Sequence, residues 1–500
     1  MCLGSLHITG QRSWTSKRCI DLNSEVQKFD LVILGKGAAA FSAAIKASEL
    51  SNGEMTIAMI GTGPLGGTCV NVGCVPSKYL LEASHSVFRP EHPKMAGIHM
   101  TTVKYDFSEV MNGLRSYVEQ ARNSKYLQVI ENYSNVKLFT GLGRFMDKKT
   151  IRISDSERNE IAVVTGSNIL IATGSHPTIP NIEGLIDIGF LTSDSIWNLK
   201  ELPESVAIIG GGAIGLEIGQ ALLHFGSKVI MIEALDSLLP QTEPEIGSAL
   251  KKHIEDEGMK FYLRARVSAV SKAGKRKSVE VITHKGKEKL YVQEIIVATG
   301  RSPNTDYLNL EAAGVNADSR GQIVTSDTMK TSALGIFAAG DCVSKKMFLE
   351  TLAAREGVIA VSNMFGEDMR IDYSSTTWAV FTSPQVAGVG MTESEFSKKN
   401  GSCSCRVFSL ENLTKASIMG ETEGMIKITV DPTNNTIVGM HILTPNATDI
   451  ITEGAYAVRN GYTIDDIIAT SHIFPSISEG VKLAAQSFIR DISKMACCVE

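Results

Sequence analysis

Val206-Ala207-Ile208-Ile209-Gly210-Gly211-Gly212-Ala213-Ile214-Gly215 is the stretch on which the fold turns. Four apolar residues, three of them β-branched, read as a short strand, and a G-x-G-x-x-G run opens a helical pattern that lasts to His224. A second apolar run, Lys228–Ile232, ends at Glu233 and completes a βαβ unit. About 175 residues upstream the layout recurs: an apolar strand over residues 29–34, then Gly35-Lys36-Gly37-Ala38-Ala39-Ala40, a helical pattern to Leu50 and a strand over residues 55–60. Glycines in such a loop let the backbone approach a pyrophosphate, and the helix N-terminus presents unpaired N–H groups and a partial positive charge to it. Two copies in this strand–loop–helix context predict two bound dinucleotides. Glu233 stands where a carboxylate accepts hydrogen bonds from a ribose 2′-hydroxyl, which favours NADH over NADPH; Gly61 takes that place in the first unit.

Two further repeats extend the pattern. Ile169-Leu170-Ile171-Ala172-Thr173-Gly174 and Ile295-Ile296-Val297-Ala298-Thr299-Gly300 are strands ending in the same Ala-Thr-Gly turn. Gly335-Ile336-Phe337-Ala338-Ala339-Gly340-Asp341 is a third strand ending in glycine and an acid. From about residue 372 strands and helices alternate without glycine loops. The expected fold class is therefore α/β: two Rossmann-like dinucleotide-binding domains and a C-terminal α+β domain. The expected boundaries are a flexible leader over residues 1–28, a first nucleotide domain from 29–175 and 301–371, a second from 176–300, and the C-terminal domain from 372–500.

Five hundred residues suggest about three domains, and 43% hydrophobic with 21% charged residues is ordinary globular composition. A net charge of −5 offers no basic surface for nucleic acid or anionic lipid, and 6% aromatics argues against a base-stacking platform. No apolar run approaches the ~20 residues a membrane helix needs. Residues 1–28 carry Arg12, Lys17 and Arg18 among several Ser and Thr, compatible with a transit peptide or a plain leader, and lack a secretory apolar core. A cytoplasmic protein is expected.

Nine cysteines, an odd count in a long chain, do not suggest a disulfide framework. Cys69 and Cys74 lie close together in Gly66-Gly67-Thr68-Cys69-Val70-Asn71-Val72-Gly73-Cys74-Val75-Pro76-Ser77-Lys78, and Cys497 and Cys498 are adjacent. Five residues of ideal helix advance about 7.5 Å, past the ~7 Å limit for a disulfide. Bridging Cys69 to Cys74 therefore needs a distorted turn, for which Gly73 is suited, and such a ring would be easily reduced. The alternative is a pair of buried thiols in a glycine-rich loop. A helix N-terminus and Lys78 would favour a thiolate. Cys342, Cys403 and Cys405 are expected to be structural or incidental, with an extra metal site at Cys403-Ser404-Cys405 as the lesser alternative.

Residues 66–78, both nucleotide loops, the two Ala-Thr-Gly turns and Gly335–Asp341 together resemble the flavin-dependent pyridine nucleotide–disulfide oxidoreductases, from residue 29 to the C-terminus. The resemblance implies FAD on the first unit, NADH or NADPH on the second, and a C-terminal interface domain that makes a homodimer with shared active sites. It places Cys74 facing the flavin and Cys69 toward substrate, Lys78 beside the flavin's reactive edge with Glu217 as its carboxylate partner, and Asp341 on the flavin side chain. Candidate cofactor contacts are then Gly35, Gly37, Ala40, Gly67, Thr68, Lys78, Thr173, Gly174 and Asp341 for FAD, and Gly210, Gly212, Gly215, Glu233 and Gly300 for the nicotinamide nucleotide.

Family members that reduce small disulfides carry a His-Pro…Glu segment whose histidine is the acid/base for the departing thiol. Here that segment reads Phe474-Pro475-Ser476-Ile477-Ser478-Glu479, and phenylalanine cannot transfer a proton. His472, two residues away, is expected to be a surface or packing residue. A lost histidine combined with terminal Cys497-Cys498 is similar to the mercuric reductases. That resemblance implies Hg(II) captured by Cys497 and Cys498 of one subunit and passed to Cys69 and Cys74 of the other, giving Cys69, Cys74, Cys497 and Cys498 as the metal-holding set; thiolates suit such a soft cation. The tyrosines that flank the metal in better-known relatives are expected to be replaced by Ser476 and Phe190. A reductase of an unidentified small disulfide and a non-catalytic soft-metal-binding protein are the competing readings.

Overall fold

Strand Gln27–Leu34 is fully buried over its last four residues, and it pairs in parallel with Ile57–Gly61 on one side and Glu160–Ile171 on the other. A strand covered on both faces needs an unbroken apolar run, which 31–34 provides. In the computed structural model, which describes residues 26–345 and 347–492, this sheet also takes Val136–Thr140 on its outer side; Ile336–Ala338 pairs in parallel with Glu160–Ile171. Thr150–Ser154 and Leu142–Phe145 extend it antiparallel. The strand begins at Gln27, inside the stretch expected as leader. Helix Ala38–Leu50 follows the first glycine loop and lies against helix Glu350–Met364 so closely that a Cβ on Gly357 would meet Ala39 O at 2.2 Å.

The second nucleotide unit is a five-stranded parallel sheet with Ser205–Ile209 at its centre, Lys228–Ile232 and Lys260–Tyr262 on one side, and Glu294–Val297 and Leu191–Thr192 on the other. An antiparallel meander, Arg266–Ala273, Arg276–Thr283 and Gly286–Val292, is added to it. The chain leaves and re-enters the first unit through Ser175–Pro177 and Arg301–Pro303, which pair with each other.

The C-terminal part is a five-stranded antiparallel sheet whose edge strand is Ser404–Ser409, with helix Ala447–Asn460 packed on it. Lys427, 2% exposed, rises from this sheet to Glu243 and Glu245 of the second unit at 3.0 Å each and to Glu393 at 2.7 Å. A buried ammonium is tolerated when paired in this way, and the cluster fixes the two parts against each other. No helix among the described residues is long and apolar enough to cross a membrane.

Candidate active site

The two glycine loops are built alike. An ideal Cβ on Gly35 would lie 2.0 Å from Ala172 O, and one on Gly210 would lie 2.4 Å from Ala298 O. Each loop's first glycine thus rests on the carbonyl of an Ala-Thr-Gly turn, and the repeats seen separately in sequence are one contact made twice. Gly215 packs on Gly210 O, 2.2 Å from its ideal Cβ; Ala40 holds the equivalent place in the first loop. Gly212, in contrast, has open space where a side chain would stand, as backbone that must admit a pyrophosphate requires. Glu233 closes the second loop by accepting from Gly211 N at 2.6 Å and Leu235 N at 2.7 Å. It lines a cleft of 1710 Å³ together with Gly210, Gly212, Arg266, Thr299 and Gly300. At Gly61 the Lys36 side chain lies where an acid would project, 3.1 Å from an ideal Cβ, and Lys36 Nζ reaches Thr140 Oγ1 at 3.3 Å.

Asp341 accepts from Ser175 Oγ at 3.0 Å, and Ser175 is held by Arg301 Nε at 2.8 Å. Its turn is anchored from below: Glu356, fully buried, accepts from Gly340 N at 2.7 Å, from Tyr373 at 3.0 Å and from the equally buried Lys345 at 3.1 Å. Thr173 Oγ1 is buried near Cys342 with no hydrogen-bond partner of ordinary geometry among the described residues, a polar group that a bound nucleotide could satisfy. Glycine loop, orphaned hydroxyl and acid together fit a dinucleotide in the first unit, as the open Gly212 loop and Glu233 do in the second.

The cysteine pair straddles a break. Helix Gly67–Val72 ends and helix Cys74–Glu91 begins at Gly73, whose φ −117° and ψ −112° belong to neither; a side chain there would press on Thr68 O and Cys69 Cα at 3.0 and 3.2 Å. The helix therefore starts five residues earlier than the pattern from Tyr79 suggests. The break brings the sulfurs together as free thiols, Cys69 half-buried and Cys74 exposed. Trp197 Nε1 holds the segment by donating to Val72 O at 2.8 Å. Contact with the Cys69 sulfur pulls the Cys74 thiol below its ordinary value; burial opposes this and Lys78 adds to it. The same contact, then burial, then Glu350, push Cys69 upward. Lys78 Nζ lies 2.7 Å from Glu217 Oε2 and over the Phe381 ring, while Glu217 Oε1 accepts from Phe381 N at 3.0 Å.

Two residues at this centre carry no signal in the sequence. The Cys69 thiol donates to Glu350 Oε2 at 2.5 Å, and Tyr126 donates to Glu350 Oε1 at 3.1 Å. Cys69, Cys74 and Glu350 each offer a ligand atom, all within 4.8 Å of one another. Glu350 is 281 positions from Cys69, beyond any spacing rule. The tyrosine beside the pair is Tyr126, edge-on to Phe41. Phe190, expected to replace one of the metal-flanking tyrosines, is partly buried against the apolar cluster of the second unit.

His472 is a packing residue: Nδ1 meets Thr470 O at 3.0 Å and Nε2 meets Glu453 Oε1 at 2.7 Å. Phe474 is 45% exposed and Ile473 79%. Cys342 is buried against Ile171 O and Ala339 O. Cys497 and Cys498 lie outside the described residues.

The pattern of the family described as pyridine nucleotide-disulphide oxidoreductase matches residues 29–357, and that of its dimerisation domain matches 376–485. A mercuric reductase of Lysinibacillus sphaericus is 35% identical over 470 residues, 94% of this chain and 84% of that protein. One of Staphylococcus aureus is 35% identical over 489 residues, 98% and 87% of the two chains. Among solved structures, the Cu(II) complex of the HOCl-induced flavoprotein disulfide reductase RclA from Escherichia coli superposes with TM-score 0.81 at 26% identity, covering 93% of this chain and all of the other. With two dinucleotide cradles, a paired thiol at a helix break and a matching dimerisation domain, the chain belongs to the pyridine nucleotide–disulfide oxidoreductase family.

Proposed function

We propose that this protein is a homodimeric mercury(II) reductase that uses FAD and NADH or NADPH. The observation that carries the reading is the convergence of the Cys69 and Cys74 sulfurs with the Glu350 carboxylate, all within 4.8 Å, where a soft two-coordinate cation is held by two thiolates. The curated relatives named mercuric reductase support the same substrate.

The first glycine loop, Thr68, Thr173 and Asp341 would hold FAD, which when bound would supply two-electron transfer between the nicotinamide and the thiol site. Around it the chain's own groups do the rest. Gly210 and Gly212 would cradle the nicotinamide nucleotide, with Gly215 packed beneath Gly210, and Glu233 would accept from its ribose hydroxyl, which would favour NADH. Lys78, oriented by Glu217, supplies fixed positive charge beside the pair and favours the Cys74 thiolate. Hg(II) arrives on the partner subunit's Cys497 and Cys498 and is exchanged onto Cys74 and Cys69. Cys69 gives up its proton as it binds, and Glu350 stands as acceptor on that thiol. Two electrons then convert Hg(II) to Hg(0), and both sulfurs leave as thiolates.

Thiolate exchange needs no imidazole acid/base, which accounts for Phe474. Reduction of a small disulfide would need a proton for the departing thiol, and His472 is engaged at both ring nitrogens. A cytoplasmic setting suits a reaction that draws on reduced nicotinamide and reduced thiols. The test is NADH and NADPH oxidation by the purified flavoprotein with Hg(II) and excess small thiol, alongside headspace detection of mercury vapour. Hg-dependent oxidation with vapour is expected; disulfide reduction without vapour would overturn the reading.

A further inference from the structure

The motif Cys403-Ser404-Cys405 is not absorbed by the active site. Cys403 immediately precedes and Cys405 lies in the edge strand Ser404–Ser409 of the C-terminal sheet. The two sulfurs are turned together, 2.6 Å apart, longer than a disulfide's ~2.05 Å, and both are free thiols. A third group comes from another element. Glu393 begins the helix Glu393–Asn400, whose N-terminus is fixed by a capping box between Thr392 and Glu395. Its carboxylate and the two sulfurs offer ligand atoms all within 4.8 Å of one another, with Glu393 exposed and both cysteines partly buried. Ser397 Oγ and Thr429 Oγ1 stand behind the sulfurs at 3.9 and 4.0 Å.

The charge around this group favours a cation. Glu393 Oε2 is bound to Lys427, but that ammonium also holds Glu243 and Glu245, so three carboxylates face one lysine. Glu393 can turn toward an ion without leaving Lys427 unpaired. Two thiolates two residues apart with a single carboxylate select a soft, thiophilic cation over an oxygen-seeking one such as Mg(II) or Ca(II).

We infer that Cys403, Cys405 and Glu393 form a second soft-metal site on the C-terminal domain, separate from the Cys69–Cys74 pair. Binding forms two metal–sulfur bonds and releases the two thiol protons to solvent; no electron is transferred. The inference is independent of the proposed reaction, because it needs neither flavin nor turnover.

The experiment uses the full-length flavoprotein carrying Cys69→Ser, Cys74→Ser, Cys497→Ser and Cys498→Ser, titrated with Hg(II) against a competing small thiol. Bound mercury per subunit is read by elemental analysis and by thiolate-to-metal absorption in the ultraviolet. Adding Cys403→Ser and Cys405→Ser is expected to remove one ion per subunit and its absorption, and Glu393→Gln to weaken that binding roughly tenfold. A measurement without further substitution accompanies it: Hg(II) should protect Cys403 and Cys405 together from alkylation, read by peptide mass spectrometry. Unchanged stoichiometry after the double substitution, or equal alkylation of both cysteines with and without Hg(II), would overturn the site.

Discussion

The Cys69 thiol donates to Glu350 Oε2 at 2.5 Å, so a carboxylate sits directly on this sulfur. Its negative charge disfavours the Cys69 thiolate. Glu350→Gln keeps the size and an acceptor oxygen but removes the charge. Alkylation of Cys69 by iodoacetamide, followed against pH by peptide mapping, should move to lower pH, and a shift of about one unit makes it roughly tenfold faster below the midpoint. An unchanged profile would show that Glu350 does not control this thiol.

Gly35 and Gly210 make the same contact in the two units, and each should fail in its own unit. Gly35→Ala forces a methyl group to within 2.0 Å of Ala172 O at φ +142°, and Gly210→Ala does the same against Ala298 O at φ +113°. Each is expected to cost about 1–3 kcal/mol or more by overpacking. The readouts separate them: Gly35→Ala loses flavin on gel filtration, whereas Gly210→Ala keeps its yellow colour and raises KM for the nicotinamide nucleotide. Flavin loss from Gly210→Ala would contradict the division of labour.

These loops also mark what the sequence makes legible. The βαβ units, the Ala-Thr-Gly turns and the strand before Asp341 are local patterns, because hydrophobic periodicity and glycine placement act over a few residues. That Gly35 seats on Ala172, or that Glu350 reaches Cys69, depends on chain crossings of more than a hundred residues, which periodicity does not encode. The Gly73 break is intermediate: glycine between two cysteines predicts a distorted turn, but the early start of the helix at Cys74 is decided by packing against Trp197 and the second unit.

Glu356 is expected to be the most sensitive buried charge in the first unit. Its partner Lys345 is 2% exposed, and Glu356→Ala leaves that ammonium buried without the carboxylate while freeing Gly340 N from its acceptor. A loss of about 3–5 kcal/mol follows from breaking a buried pair by removing one member. Because the same carboxylate anchors the Gly340–Asp341 turn, flavin retention should fall with thermal stability. Melting temperature and flavin content measured together check this, and loss of stability with full flavin retention would separate the two roles.

His472 gives a pH dependence with a definite sign. The Glu453 hydrogen bond raises its folded pKa against the opposing effect of burial. A raised histidine contributes stability that is fully present below the unfolded value of about 6.5 and is lost as pH rises through the folded value. His472→Gln should therefore destabilise the protein more at pH 5.5 than at pH 9, in urea melts at matched ionic strength. A constant difference across that window would mean the imidazole is neutral throughout.

The proposed relay makes the strongest demand on Cys497 and Cys498. Small thiols in excess keep Hg(II) complexed, and a tethered thiol pair competes through its high effective concentration beside the site rather than through stronger bonds. Replacing both by alanine should cut Hg(II)-dependent NADH oxidation roughly twofold or more under millimolar competing thiol, since the tether's effective concentration is also millimolar. With Hg(II) supplied on weak halide ligands, the free cation reaches Cys69 and Cys74 directly and the loss should shrink. Equal losses under both conditions would point to damage at the active site itself, and no loss under either would remove the terminal pair from the mechanism while leaving the inner thiols in place.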